Sequence, residues 1–146
     1  MREPKKWDNV FMDMAFAVAQ RSKDPSSQCG AVIVAPNNAV ISVGFNGPPV
    51  CIDDRSFDWL NRSLKYSLVI HAELNAIFFG LMARGSLDGC TLYTNAFPCS
   101  KCVIHISAVG IKKVVYGPIQ PIVCDMADRE CTEAIVKMAG MELRRI

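Results

Sequence analysis

At 146 residues, 51% of them hydrophobic, the chain fits a single domain with a full hydrophobic core. Charges interrupt every apolar run, so no transmembrane span is expected, and the polar start from Met1 to Asp8 lacks the apolar stretch of a secretory signal. A formal charge of only +2, with no basic run longer than pairs such as Lys5-Lys6, argues against a polynucleotide partner and for a small molecule. A cytoplasmic protein is implied. Its seven cysteines, an odd number, are then expected to bind metal or to be buried, not to form a disulfide framework.

Asp8 to Arg21 carries Val10, Phe11, Met14, Ala15 and Val18 at helical spacing, with Asp8 as candidate N-cap. Arg21-Ser22-Lys23-Asp24-Pro25 ends that helix in a loop with two cations and a hydroxyl. Such a loop can hold a phosphate or can simply be solvated. Cys29 to Ala35 and Ala39 to Phe45 read as a hairpin turning at Pro36-Asn37-Asn38. It runs into Gly44-Phe45-Asn46-Gly47-Pro48-Pro49, where Asn46 is either a turn residue or an arm aimed at a ligand. Val50 to Ser67 reads as a long loop, with a helical turn around Phe57 to Arg62, in the manner of a lid or binding loop. Phe57, Trp59 and Leu60 there suit either a contact surface or the chain's own core.

Ile70 to Ala83 is an apolar helix with His71 and Glu73 in its first turn. Gly89 to Ala96 is a strand, and Phe97-Pro98 turns it into a helix on which Cys99 and Cys102 share a face. Ile111 to Tyr116 is a buried strand, Gly117 to Val123 a loop with two prolines, Asp125 to Ala139 a helix, and Met141 to Ile146 a short strand. Strands joined through helices are expected to run parallel, which makes the last three strands parallel with the hairpin at one side.

The chemistry gathers in His71-Ala72-Glu73 and Pro98-Cys99-Ser100-Lys101-Cys102. One imidazole and two thiols are zinc-type ligands one short of a closed tetrahedron, and a hydrolytic zinc site keeps that fourth position for water. Glu73 is the group placed to carry protons to and from such a water. This H-x-E and P-C-x-x-C pairing is already a known signature of zinc nucleobase deaminases. The C-x-x-C alone could also be a redox pair, or half of a structural zinc knuckle completed by Cys90 or His105.

Nearly the whole chain resembles the deoxycytidylate (dCMP) deaminase family of the cytidine deaminase-like superfamily. The resemblance is carried by Arg21-Ser22-Lys23-Asp24-Pro25 with Gln28 and Gly30-Ala31-Val32, and by Gly44-Phe45-Asn46-Gly47 with Pro49. It continues through Lys65-Tyr66, His71-Ala72-Glu73-Leu74-Asn75-Ala76-Ile77, and Leu92-Tyr93 to Cys102. The sequence departs from the pattern in two places. Val50-Cys51-Ile52 precedes Asp53-Asp54 where regulated members carry G-C-S-D-D, and Gly117-Pro118-Ile119-Gln120-Pro121 stands where a Lys-Tyr pair is common.

The resemblance implies a three-layer α-β-α fold with a five-stranded mixed sheet, the whole of 1–146 forming one zinc-dependent nucleotide deaminase domain. It implies zinc on His71, Cys99 and Cys102, with Glu73 as the catalytic proton carrier. It implies substrate contacts from Asn46 to the sugar, from Ser22, Lys23 and Arg21 to the 5′-phosphate, and from Ala72. The reaction implied is dCMP to dUMP plus ammonia, supplying dUMP for thymidylate synthesis, with dCTP and dTTP as effectors and a homo-oligomer, a hexamer, as the assembly. The alternatives are deamination of another cytosine nucleotide such as dCTP, deamination of a base in RNA, or a zinc-stabilised binding module without catalysis.

Overall fold

The computed structural model describes residues 1–146. In chain order the elements are α1 (Trp7–Ala19), β1 (Gly30–Val34), β2 (Val40–Phe45), α2 (Arg62–Leu68), α3 (Ala72–Arg84), β3 (Thr91–Ala96), α4 (Ser100–Ala108), β4 (Lys113–Ile119), α5 (Met126–Met138) and β5 (Glu142–Arg145). The five strands form one sheet in the order β2-β1-β3-β4-β5. β1 pairs antiparallel with both β2 and β3, while β3-β4 and β4-β5 are parallel, as the helix-linked crossovers predict.

Alternation along the strands sorts the core into two layers. Val32, Val34, Tyr93 and Val115 turn to one face and pack with Phe11, Met12 and Ala15 of α1. Ala31, Ile33, Leu92 and Val114 turn to the other, against Ala72, Ala76 and Ile77 of α3 and Cys102 and Ile106 of α4. The helices sit unusually close to the sheet because two strand positions carry no side chain. A Cβ at Gly44 would lie 2.3 Å from the Ala76 nitrogen and 2.4 Å from the Ala72 carbonyl oxygen. A Cβ at Gly30 would lie 2.1 Å from the Ala15 carbonyl oxygen. Gly44 thereby fixes where the first turn of α3, and with it the histidine, meets the sheet. No helix is long and apolar enough to cross a membrane.

Three local expectations are corrected. Asp8 is not the N-cap of α1, because the helix starts at Trp7 after Lys6. Its carboxylate instead accepts the Tyr93 hydroxyl at 2.7 Å and the Arg144 guanidinium at 2.5 Å, tying α1 to β3 and β5. The helical turn expected at Phe57 to Arg62 lies further on, as α2, because Asn61 is the residue that caps it, accepting the Leu64 N–H at 3.2 Å. β4 continues through Gly117 and Pro118 to Ile119 in place of the expected loop. The proline is tolerated because β5 pairing ends at Tyr116 and the β3 register shifts between Thr94 and Ala96, so its missing N–H costs no ladder bond.

Candidate active site

Two helices begin side by side at one end of the sheet. His71 is the N-cap of α3 in an extended conformation, one position before the helical turn in which the sequence placed it. Its predecessor is pinned by paired backbone bonds, Ile70 N–H to Gly47 carbonyl at 2.9 Å and Gly47 N–H to Ile70 carbonyl at 3.1 Å. Cys99 is the N-cap of α4, and Cys102 lies on that helix's first turn. His71 Nδ1 lies 3.5 Å from Cys99 Sγ and 3.3 Å from Cys102 Sγ. With bonds of about 2.3 Å to sulfur and about 2.05 Å to nitrogen, a tetrahedral zinc would separate those atoms by about 3.6 Å. The trio fits zinc without rearrangement.

No fourth histidine, cysteine or carboxylate joins this cluster. Cys90 is buried elsewhere, 3.1 Å from an Arg84 guanidinium nitrogen, and His105 is exposed with its Nδ1 against the Lys101 carbonyl. The structural-knuckle reading therefore lacks the two ligands named for it.

The thiols already divide their charge. Cys99 is pulled down to about 4, first by the hydrogen bond from Cys102 and also by that from His71, against the cost of burial. Cys102 is pushed well up by the same bond to Cys99 and by its burial. The His71 imidazole rises to about 8 through its bond to Cys99, with burial opposing. Cys99 is thus the more readily ionised of the two thiols, and a metal ion would displace the protons that remain on the trio. Glu73, only 5% exposed, is raised above the ordinary carboxylate range, chiefly by burial, while His71 pulls it the other way.

From this floor a cleft opens between two unlike walls. Ala72, Ala96, Phe97, Pro121, Ile122, Val123 and Cys124 make the apolar side. Asp24, Ser26, Ser27, Asn46, Lys65 and Tyr66 make the polar side. Asn46 lines it, yet its amide is engaged by the protein: Oδ1 accepts the Cys29 N–H at 2.8 Å, and Nδ2 donates to the Ser27 carbonyl at 2.9 Å and to Asp24 at 3.3 Å. The Ser22 hydroxyl is turned inward, donating to the Asn46 carbonyl at 2.8 Å. Lys23 points away to Asp54 at 2.6 Å, and the Arg21 guanidinium lies 5.8 Å from the centre of the Phe45 ring. None of Arg21, Ser22 and Lys23 lines the cleft, although Asn46 and Ala72 do.

The cation on the polar wall is Lys65. It is paired with Asp24 at 2.6 Å and bonded to the Ser26 hydroxyl at 3.1 Å, and the two charged side chains are only 7% and 4% exposed. Sequence reasoning missed this pair because its partners stand 41 residues apart. A signal existed in Lys65-Tyr66, a lysine and tyrosine just upstream of the histidine.

Residues 5–118 match the family model described as the cytidine and deoxycytidylate deaminase zinc-binding region. The chain belongs to that family. The metal of the site is accordingly zinc. Among relatives, the deoxycytidylate deaminases of Mus musculus and Homo sapiens are 38% and 37% identical, each over 96% of this chain and 79% of the other protein. An uncharacterized deaminase of Aliivibrio fischeri is 46% identical over 79% of this chain and 74% of its own. The fold matches a cyanophage dCMP deaminase crystallised with dCMP and dUMP, with a TM-score of 0.75 at 24% identity over 99% of this chain and 100% of that one.

The buried pair gives a direct test. Lys65→Met leaves Asp24 charged and unpaired, and urea unfolding should show a loss of about 3–5 kcal/mol. Adding Asp24→Asn should recover part of that loss. A double variant no more stable than Lys65→Met would show that the pair is not the source.

Proposed function

We propose that this chain hydrolyses dCMP to dUMP and ammonia, with His71, Cys99 and Cys102 as metal ligands and Glu73 as the proton carrier. The observation that supports this most is an open trio of ligands with a buried carboxylate beside it, at the floor of a cleft with one polar wall. Bound zinc would supply Lewis acidity, making water a nucleophile near neutral pH. The chain's own groups do the rest. Glu73 takes a proton from the attacking water and delivers it to cytosine N3 as the C4–O bond forms. It then carries the remaining proton of the C4 hydroxyl to the amino group, which leaves as ammonia when the C4–N bond breaks and C4 becomes a carbonyl. Its raised pKa suits a group that must both accept and give a proton.

The base would lie between the ligand trio and the apolar wall, with the sugar and phosphate along the polar one. Ala72 meets the base end, and Asn46 holds the sugar side, steadied from behind by Ser22. Lys65, although paired with Asp24, lines the cleft with Ser26 and is the group proposed for the 5′-phosphate, whereas Lys23 is turned to Asp54 and Arg21 to the Phe45 ring. dCTP and dTTP are proposed as effectors. Thiolate ligands and a free nucleotide substrate support a cytoplasmic location.

We also propose a homo-oligomer, a hexamer. The Phe57 and Trp59 rings lie tilted against each other with centroids 4.7 Å apart, while Val50 and Leu60 of that loop are exposed. A broader apolar surface lies on α3 and α4, where Phe78, Phe79, Met82 and Ile104 are all exposed. Light scattering at micromolar protein should find a mass well above 16.1 kDa; an active monomer would refute the assembly.

A panel of dCMP, dCTP, deoxycytidine, CMP and a tRNA, with and without dCTP and dTTP, tests the substrate. dCMP should turn over fastest, and faster turnover of dCTP or the tRNA would overturn the choice. Glu73→Gln should keep its zinc and lose about 10²–10⁴-fold in kcat. A Glu73→Gln enzyme at the original rate would remove Glu73 from the mechanism.

A further inference from the structure

The turn that presents the thiols is gripped from outside by the start of α5. Cys124 Sγ donates to the Phe97 carbonyl at 3.4 Å, and the Arg129 guanidinium lies 4.2 Å from the centre of the Phe97 ring. The Thr132 hydroxyl, fully buried, donates to the Pro98 carbonyl at 3.3 Å. The Asp128 carboxylate accepts the Ser100 N–H at 3.2 Å and the Ser100 hydroxyl at 2.6 Å. Asp128 is itself fixed, because its N–H donates to the N-cap carboxylate of Asp125 at 2.9 Å. Phe97, Pro98 and Ser100 are thus each held by a residue of 124–132, while Cys99 among them spends its side chain on His71.

The N–H of Ser100 is the first of the unpaired donors that open α4, and a serine hydroxyl or solvent could have met it locally. Here a carboxylate from another helix does so, immediately after the ligand. We infer that Asp128 is a positioning residue for the metal: through Ser100 it holds the backbone of Cys99, so that the sulfur is set against His71 before zinc arrives. The same segment carries Pro121 to Cys124 of the cleft wall, so one anchor sets both the ligand turn and that wall. Groups that hold metal ligands in place in this way typically change metal affinity by about 10–100-fold when removed.

The inference rests on Cys99 being a ligand, and the experiment separates the two. Zinc-loaded protein is challenged with a chromogenic chelator, and the release rate is compared for the unaltered chain, Cys99→Ala, Asp128→Ala, Asp128→Asn and Asp8→Asn. Cys99→Ala should fail to retain zinc; if it holds zinc as the unaltered chain does, the ligand assignment itself fails. Asp128→Ala should release zinc about 10–100-fold faster. Asp128→Asn, which keeps an acceptor for the Ser100 hydroxyl, should fall between and also covers the case in which the alanine variant does not fold. Asp8→Asn removes a carboxylate of comparable bonding from the α1 side of the sheet and should release zinc at the unaltered rate. With cobalt(II) in place of zinc, Asp128→Ala should also shift the thiolate charge-transfer band. Release from both Asp128 variants at the unaltered rate, or no faster than from Asp8→Asn, would overturn the inference while leaving Cys99 as a ligand.

Discussion

The site depends on α3 and α4 starting beside one another. A histidine and a cysteine 28 residues apart meet only because each is the capping residue of its helix and the two helix starts converge. That convergence follows from close packing. Gly44 lets the first turn of α3 lie directly on β2, and the parallel order of β3 and β4 sends the chain over the sheet through α4. Helix N-termini favour negative charge, so the arrangement that brings the ligands together also favours the thiolates that zinc requires.

What was legible in the sequence was the chemistry carried by short spacing. His71 to Glu73 and Cys99 to Cys102 are local pairs, and residue type alone says that they suit an open zinc site. The parallel run of β3, β4 and β5 was legible for a similar reason, since helices between strands leave few topologies. Contacts between distant segments were not. Arg21, Ser22 and Lys23 announce an anion site by composition, but the direction of a side chain is set by its neighbours. Asn46 draws the Ser22 hydroxyl inward and Asp54 draws Lys23 outward. The cation that does reach the cleft, Lys65, lay in a stretch with weak periodicity. It became a helix through its Asn61 cap, after a run of local turns in which Asp53 and Asp58 satisfy nearby backbone N–H groups.

The polar wall also shows how the fold holds charge near a reacting centre. Asp24 accepts from Lys65, Asn46 and the Ser26 N–H, so a buried carboxylate and a buried ammonium are both met by several partners. Such a pair contributes little net stability but resists rearrangement, because separating it leaves an uncompensated charge. Asn46 is therefore held by Cys29, Ser27 and Asp24 without any ligand, which limits the ordering that binding must impose.

The central claim is that the metal site is open, with three protein ligands and a position left for water. X-ray absorption on the zinc-loaded protein measures this directly. The account predicts two sulfur neighbours at about 2.3 Å with one nitrogen and one further light atom at about 2.0–2.1 Å, the last exchanging for an added anionic ligand such as cyanide. A third sulfur, or a fourth ligand that no small molecule displaces, would mean a closed structural site and contradict it.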